Sequence, residues 1–498
     1  MLFPSLCSQK TKVLFWTVFM LIDALSLSVN ASELVQIPGV IHVHTTFSSG
    51  SYTLKELVDR AKTKGLEVLV ITDHDLVAME YGFFPFRNIL KKRVEKKSVL
   101  KIGPEKYLKA ITDINESQSD VVVIPGVQSS PFYYWTGSPF RGDLTAHDYR
   151  KELLLIGMTN PEDYRNLPVL HRGFSTRYFI ALLPQSIILL SSFIFSLFLI
   201  FQKGTLRAIG VLICAFALIS AINYHPFQSS RFDPYHGDQG IEPYQEVIDY
   251  VRDRDGLVFW AHPEAKYAQQ GVKIGNITLQ TKPYPYALLL SENYTGFSAL
   301  YGEWTTVDDP GKQWDQALLE YCDGKREQPV WIIAEADFHK DRNDGGVLDL
   351  DSYQTIFLVE KKNMKQILGS LSTGKIYAVR KGDKGRLSLD RFQIGSKGSK
   401  VKALMGERLN NPSIPIINIR ISASDGGQYP INMTLIRGGK VLKTFDGKTP
   451  YELVFEDNDS LKGITYYRLE ATAGPMGTVL SNPIFVSKSA TMTEQSRQ

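Results

Sequence analysis

Five of the chain's nine histidines stand in short motifs that also hold carboxylates or follow apolar runs. They are His42-Val43-His44-Thr45, Asp73-His74-Asp75, Ala261-His262-Pro263 and Asp337-Phe338-His339. Imidazole and carboxylate are the ligands that Zn²⁺, Mn²⁺ and Fe²⁺ accept. Alternation along an extended strand turns residues i and i+2 to one side. His42 and His44 can therefore address one ion from a single strand. Asp337 and His339 can do the same if the backbone there stays extended. A single histidine of this kind is more often structural than a ligand. Five together at strand ends point to a divalent-metal site. Asp73 or His74 would relay protons or orient ligands around it.

The elements that position these residues read as alternating strands and helices. Val40–Val43 is β-prone, and Leu66–Thr72 is a nearly continuous apolar run, the pattern of a parallel strand covered on both faces. Val121–Pro125 and Leu153–Gly157 read the same way, and Gln128 follows the first of them. Thr53 with Glu56 forms a capping box that opens a helix over 54–64. Further on come a helix near 241–254, strands at 257–261 and 330–334, a helix near 313–322, a strand at 355–359 and a helix near 362–372. In parallel α/β folds the strand C-termini converge on one face, where sites form. Residues 79–118 interrupt the pattern. Their Lys91-Lys92-Arg93 and Lys96-Lys97, beside Phe83, Phe84 and Phe86, read as a solvated basic helix or a membrane-surface segment.

The motifs resemble the PHP (polymerase and histidinol phosphatase) superfamily. The opening motif stands as HVHTTFSSG at 42–50, the second as TDHD at 72–75 and the third as PGVQ at 125–128. Ala-His-Pro at 261–263 and Asp-x-His at 337–339 follow in order. The resemblance implies a distorted seven-stranded β/α barrel, up to three metal ions and hydrolysis of phosphate esters by metal-activated water. It gives His42, His44, His74, His262, Asp337 and His339 as metal ligands. Gln128 stands where a bridging Glu is usual, and Ser49 replaces a frequent Asp. Glu152, where a histidine is usual, could restore the lost carboxylate. These departures favour one or two divalent ions (Zn, Mn or Fe) over three. Arg141, Arg172, Lys340 and Arg342 are candidates to hold a small phosphorylated substrate, each with ordinary surface charge as its alternative. The aromatic run 131–135 could wall a pocket, meet a membrane or pack in the core.

Two runs interrupt the barrel. Residues 178–201 carry no charge, and 206–224 carry only Arg207. About 20 apolar residues cross a bilayer core, so 178–224 reads as a two-helix transmembrane hairpin. Residues 1–31 read as a signal peptide or signal anchor. The expected order is therefore barrel at 32–177, hairpin, and barrel again at 225–386. A β-sandwich-like domain follows at 387–488, suggested by short strands and the Gly438-Gly439 hairpin turn, then a disordered tail at 489–498. Barrel and sandwich would lie on the extracytoplasmic (periplasmic) side of the membrane. A mean hydropathy of −0.13 averages these unlike parts. A net charge of +4 gives no reason to expect nucleic acid. Cys7, Cys214 and Cys322 are too few and too scattered for a disulfide framework.

Three functions compete at this level. The first is an exported, membrane-tethered phosphoesterase. The second is a weakened PHP domain that binds a ligand or signals. The third is a surface protein whose C-terminal domain binds a protein partner.

Overall fold

The structure is a computed structural model and describes residues 34–266 and 269–488. The expected signal segment and C-terminal tail lie outside the described residues.

Seven strands close into a barrel: β1 (Val35–Val43), β2 (Val68–His74), β3 (Val122–Ser129), β4 (Leu153–Ile156), β5 (Leu257–Trp260), β6 (Gly296–Leu300) and β7 (Trp331–Phe338). Each pairs with the next, and β7 pairs with β1 through Ile41↔Glu335 and Val43↔Phe338. Successive residues of β2 go to opposite sides. Val68 and Val70 fill the barrel interior with Ile41, Ile124, Leu154, Phe259 and Ile333. Leu69 and Ile71 pack outward under helices. Both faces are covered, which is why the strands read as unbroken apolar runs. Ile367 and Leu371 of the helix Met364–Thr373 join the interior cluster. The capping box forms as expected: Glu56 accepts from the Thr53 N–H at 2.8 Å, and the Glu56 N–H donates to Thr53 Oγ1.

Two strands differ from expectation. β4 was expected to be parallel but runs antiparallel to both neighbours, with Ser129↔Leu153 on one side and Leu153↔Trp260 on the other. An apolar run records burial on both faces, not direction. The second is β6, Gly-Phe-Ser-Ala-Leu, which lacks β-branched residues and gave no sequence signal, although it is wholly buried.

The insertion holds no long basic helix. Ala78–Gly82 and Lys91–Glu95 form an antiparallel β-hairpin, followed by the helix Pro104–Ser117 on the barrel flank. The aromatic run packs inward: Phe132, Tyr133 and Trp135 are buried. Two long apolar helices, α1 (Phe179–Ile200) and α2 (Thr205–Asn223), form a hairpin between β4 and β5. Both are long and apolar enough to cross a membrane, and most of their surface is uncovered by protein.

C-terminal strands extend the barrel sheet. Tyr353–Val359 pairs antiparallel with the first half of β1, and Ile376–Arg380 pairs with Gly477–Ser481. Beyond these lie Gly463–Ala473, Pro430–Arg437 and Lys440–Lys448. Gly438 (φ 52°) and Gly439 (φ 78°) make the expected tight turn, since both central residues need positive φ. A separate four-stranded sheet contains Leu387–Ser396, Pro415–Ala423 and Tyr451–Glu456. The two sheets share an apolar core that includes Ile417, Ile419, Leu435, Leu469 and Val479. Arg468 fastens this part to the barrel. It is fully buried and grips Asp315 of the helix Gln313–Cys322 at 2.8 and 2.9 Å. Asn482 exchanges hydrogen bonds with both backbone groups of Ile332 in β7.

Candidate metal centre

The barrel brings the predicted histidines to one end. His42 and His44 come from β1, His74 from β2, and Asp337 and His339 from the end of β7. His262 follows β5. Ring centroids lie 5.1 Å apart for His42–His44, 4.8 Å for His44–His74, 4.2 Å for His44–His339 and 5.7 Å for His42–His262. The reversal of β4 explains why Glu152 is here. It precedes an antiparallel strand, so it sits at the same end as the C-termini of β3 and β5. Glu152 Oε2 meets His262 Nε2 at 3.0 Å, and Ser130 donates to its other oxygen at 3.2 Å.

Local backbone geometry aims these side chains. His42 (φ 71°), Asp337 (φ 43°) and His262 (φ 27°) all have positive φ, a strained region for such residues that clusters at functional sites. The β1 register shifts between Ile41 and Val43 against both β2 and β7. This break in register re-aims His42, as a bulge would. Simple strand alternation, which the sequence reading relied on, is not what joins His42 to His44 or Asp337 to His339.

One carboxylate oxygen is the focus. Asp337 Oδ1 lies 3.3 Å from His42 Nε2, 3.4 Å from His44 Nε2 and 3.3 Å from His339 Nε2. These distances are long for hydrogen bonds. They match the ~3.4 Å edge between ligands held ~2.1 Å from a tetrahedral ion. His42 Nε2, His44 Nε2 and Asp337 Oδ1 are also buried without a hydrogen-bond partner, which is costly unless something else satisfies them. His42, His44 and Asp337 therefore fit a divalent cation as a set of three, with His339 Nε2 beside Asp337.

Glu335 is the residue that motif reading missed. It is fully buried, two positions before Asp337 on the same strand. Its Oε2 meets His42 Nδ1 at 2.9 Å, and its Oε1 meets His262 Nδ1 at 2.8 Å and the His262 N–H at 3.0 Å. One carboxylate thereby fixes the Nδ1–H tautomer of two imidazoles and leaves Nε2 of His42 for an ion. The signal was present in the i, i+2, i+4 spacing of Glu335, Asp337 and His339. His42, His262 and Glu335 also form a close trio of ligand-type groups, an alternative to this hydrogen-bonded arrangement rather than an addition to it.

Electrostatics ionise the carboxylates and keep His44 and His74 neutral. His42 is the exception: burial lowers it, but Asp337 and Glu335 outweigh burial and raise it above its ordinary value, so an ion bound there must displace that proton. Burial would raise Glu335, but the charges of His262 and His42 outweigh it and hold the carboxyl at about 2. Burial likewise opposes ionisation of Asp337, and His42 with the other imidazoles keeps it well below the usual carboxylate range. Burial pushes His44 well below its ordinary value, and pushes His74 to about 4 against the pull of Glu152. Neutral imidazole and ionised carboxylate are the forms that bind metals.

The remaining candidates divide. Gln128 is buried and paired in register with His74, and its Oε1 has no hydrogen-bond partner. Asp73 instead clamps the loop after β1, accepting from the Thr45 N–H at 2.8 Å, the Thr45 hydroxyl at 2.6 Å and the Ser48 hydroxyl. Arg141 is exposed and pairs with Asp143. Arg172 lies within electrostatic reach of Tyr178 and Tyr250, near the start of α1. Lys340 and Arg342 belong to the loop after His339, where Arg342 Nε donates to Val347 O. Arg150, two residues before Glu152, acts on that carboxylate electrostatically.

Comparison with known proteins adds to this geometry. The PHP domain family model matches residues 41–192, which contain His42, His44, His74, Gln128 and Glu152. The DNA polymerase/3'-5' exonuclease PolX of Bacillus subtilis is 36% identical over 53 residues, 11% of this chain and 9% of that protein. The chain thus spans under a tenth of that relative's length. Among solved structures, a two-domain Bacteroides vulgatus protein is described as containing a predicted PHP-like metal-dependent phosphoesterase. It is 11% identical, with a TM-score of 0.34, covering 91% of this chain and 95% of its own. A Bifidobacterium adolescentis protein described as a metal-dependent phosphoesterase is 16% identical, with a TM-score of 0.27, covering 60% and 87%.

Proposed function

We propose, with the PHP domain match over residues 41–192 as premise, that the chain is a membrane-tethered, metal-dependent phosphoesterase. The observation that carries this is the convergence of three imidazole nitrogens on Asp337 Oδ1 at 3.3–3.4 Å. His42, His44, Asp337 and His339 would hold the ion, and Glu335 orients His42 from behind. When bound, a divalent ion supplies Lewis-acid polarisation of the phosphoryl group and lowers the pKa of water. His74, neutral at pH 7, can accept a hydrogen bond from water or substrate. Arg150 adds positive potential at the mouth, beside Glu152. Gln128 brings no charge where a bridging Glu is usual, so one or two ions are expected, with Glu152 as the replacement carboxylate. The reading includes export of the barrel and insertion of the α1–α2 hairpin. It also takes the C-terminal sheets as a sandwich-like module fixed to the barrel by Arg468.

The test is turnover of a panel of phosphate esters by the metal-loaded full chain. Activity lost in His44→Ala supports the reading. Metal binding without turnover of any ester would favour the weakened PHP domain, to which Gln128 and Ser49 point. Alkaline phosphatase fusions after residue 170 and after residue 498 should both be active if barrel and C-terminus are exported. An inactive pair would place them in the cytoplasm.

A further inference from the structure

Both feet of the helical hairpin stand at the metal end of the barrel. On the way to α1, Leu170 N–H donates to Pro131 O at 3.1 Å. His171 then meets Tyr133 at 2.7 Å, receives Arg93 on its carbonyl at 2.9 Å and pairs with Glu80. After α2, Asn223 accepts from the Asn88 N–H at 2.8 Å on its side-chain oxygen and from Asn88 Nδ2 at 2.7 Å on its carbonyl, and the Tyr224 hydroxyl donates to Pro85 O at 3.1 Å. Phe86 packs on Phe216 of α2. Returning to the barrel, Pro234 O accepts from the Trp135 N–H at 2.7 Å. All these anchors belong to segments that leave the barrel after His74 in β2 and after Gln128 in β3.

The segment 76–98 therefore forms a ledge joining the site to the hairpin. One end is Asp75, whose N–H donates to Gln128 O at 2.9 Å. The other returns through Lys97, which donates to Thr46 O, two residues beyond His44. Between them Phe83, Phe84, Ile89 and Leu90 are exposed, Phe84 by 79%. Phe140 and Phe174 add exposed rings, with Phe83 beside Phe140 and Phe174 stacked on Phe227. Such a patch marks a contact surface rather than ordinary solvent exposure. It meets the hairpin through Phe86 on Phe216 of α2 and Phe227 on Phe179 of α1, and Arg87 and Lys92 accompany it, while Lys91 is paired with buried Glu80. Aromatic and aliphatic tips beside basic residues suit the headgroup boundary of an anionic bilayer. From Asp75 to Phe84, nine residues reach at most ~30 Å.

We infer that the metal end of the barrel opens beside the bilayer surface and that its substrate is a phosphate monoester carried on a lipid. This rests on the phosphoesterase reading and names its substrate class. His42 and His44 are wholly buried, so a terminal, unbranched phosphate reaches them more readily than one flanked by two groups. In the reaction, water oxygen bonds to phosphorus and the P–O bond to the lipid alcohol breaks. The alcohol leaves with a proton from that water, inorganic phosphate is released, and no redox change occurs.

The test uses the full chain, metal-loaded, in phosphatidylcholine vesicles containing phosphatidic acid, with p-nitrophenyl phosphate as the soluble comparison. A Phe84→Asp/Leu90→Asp variant is expected to lose about ten-fold or more of phosphatidic acid turnover while keeping p-nitrophenyl phosphate turnover, which also shows that it folds. Independently, Phe84→Trp should gain fluorescence quenched by brominated lipids relative to the unmodified chain. Unchanged phosphatidic acid turnover in the double variant, or no added quenching, overturns the inference and leaves the phosphoesterase reading standing. If neither ester is hydrolysed, the phosphoesterase reading falls and this inference falls with it.

Discussion

Glu335→Gln is expected to weaken metal binding without emptying the primary ligand set. The carboxylate accepts from two imidazoles at once, His42 at 2.9 Å and His262 at 2.8 Å. An amide of the same shape has one oxygen and one NH₂. Its NH₂ would face a ring N–H, so that ring must move its proton from Nδ1 to Nε2. If the ring is His42, the proton then points at Asp337 Oδ1, 3.3 Å away, where an ion would sit. Loss of such an outer carboxylate typically costs 10–100-fold in metal affinity, about 1.4–2.7 kcal/mol. Competition against a chromophoric chelator would measure it, with circular dichroism to show that the fold is kept. Affinity within about two-fold of the unmodified chain would refute the orienting role, because tautomer control predicts about a decade or more.

Three further outcomes follow from the packing and charges. Asp315→Asn removes one of the charges facing buried Arg468 while Glu470 stays paired with it; the loss should stay below the ~3–5 kcal/mol of an uncompensated buried charge, and denaturant unfolding should show it, deepened in Asp315→Asn/Glu470→Gln. Burial would raise the Glu80 carboxyl, but His171 and Lys91 outweigh it and hold it at about 2, against about 4.3 in an unfolded chain. Its stabilisation, at most about 3 kcal/mol, is therefore present above the unfolded value and lost as pH falls from about 5 to about 2. Trp135, whose indole donates to Glu80 O, should report the change by fluorescence, and Glu80→Gln should flatten it. Gln128→Glu places a charge where a buried amide oxygen has no partner, and should raise the metal content measured by plasma mass spectrometry.

Much of the barrel and of the histidine cluster at its end was legible because both leave local signatures. Apolar runs bounded by turns gave β2, β3 and β5, and the histidine motifs marked the strand ends. Direction was not legible, since an apolar run such as LLLI is buried on both faces whichever way it points. That mattered for Glu152, whose place beside His262 depends on the reversal of β4. β6 escaped because its residues have weak strand preference and are held by neighbours. The basic stretch at 91–97 read as a helix from its charges alone. Its pairing with Ala78–Gly82 is a tertiary effect, as is the salt bridge from Lys91 to buried Glu80. Glu335 went unread because nothing local distinguishes a carboxylate that orients imidazoles from one that binds an ion.

The central claim is a divalent-metal centre at His42, His44, Asp337 and His339. Plasma mass spectrometry of the full chain, purified in detergent after exposure to Zn²⁺, Mn²⁺ and Fe²⁺ and then dialysed, tests it most directly. The account predicts that at least one of these ions is retained in stoichiometric amount and lost in Asp337→Asn. Retention of none of the three by the folded chain, or equal retention by the Asp337→Asn variant, would contradict it.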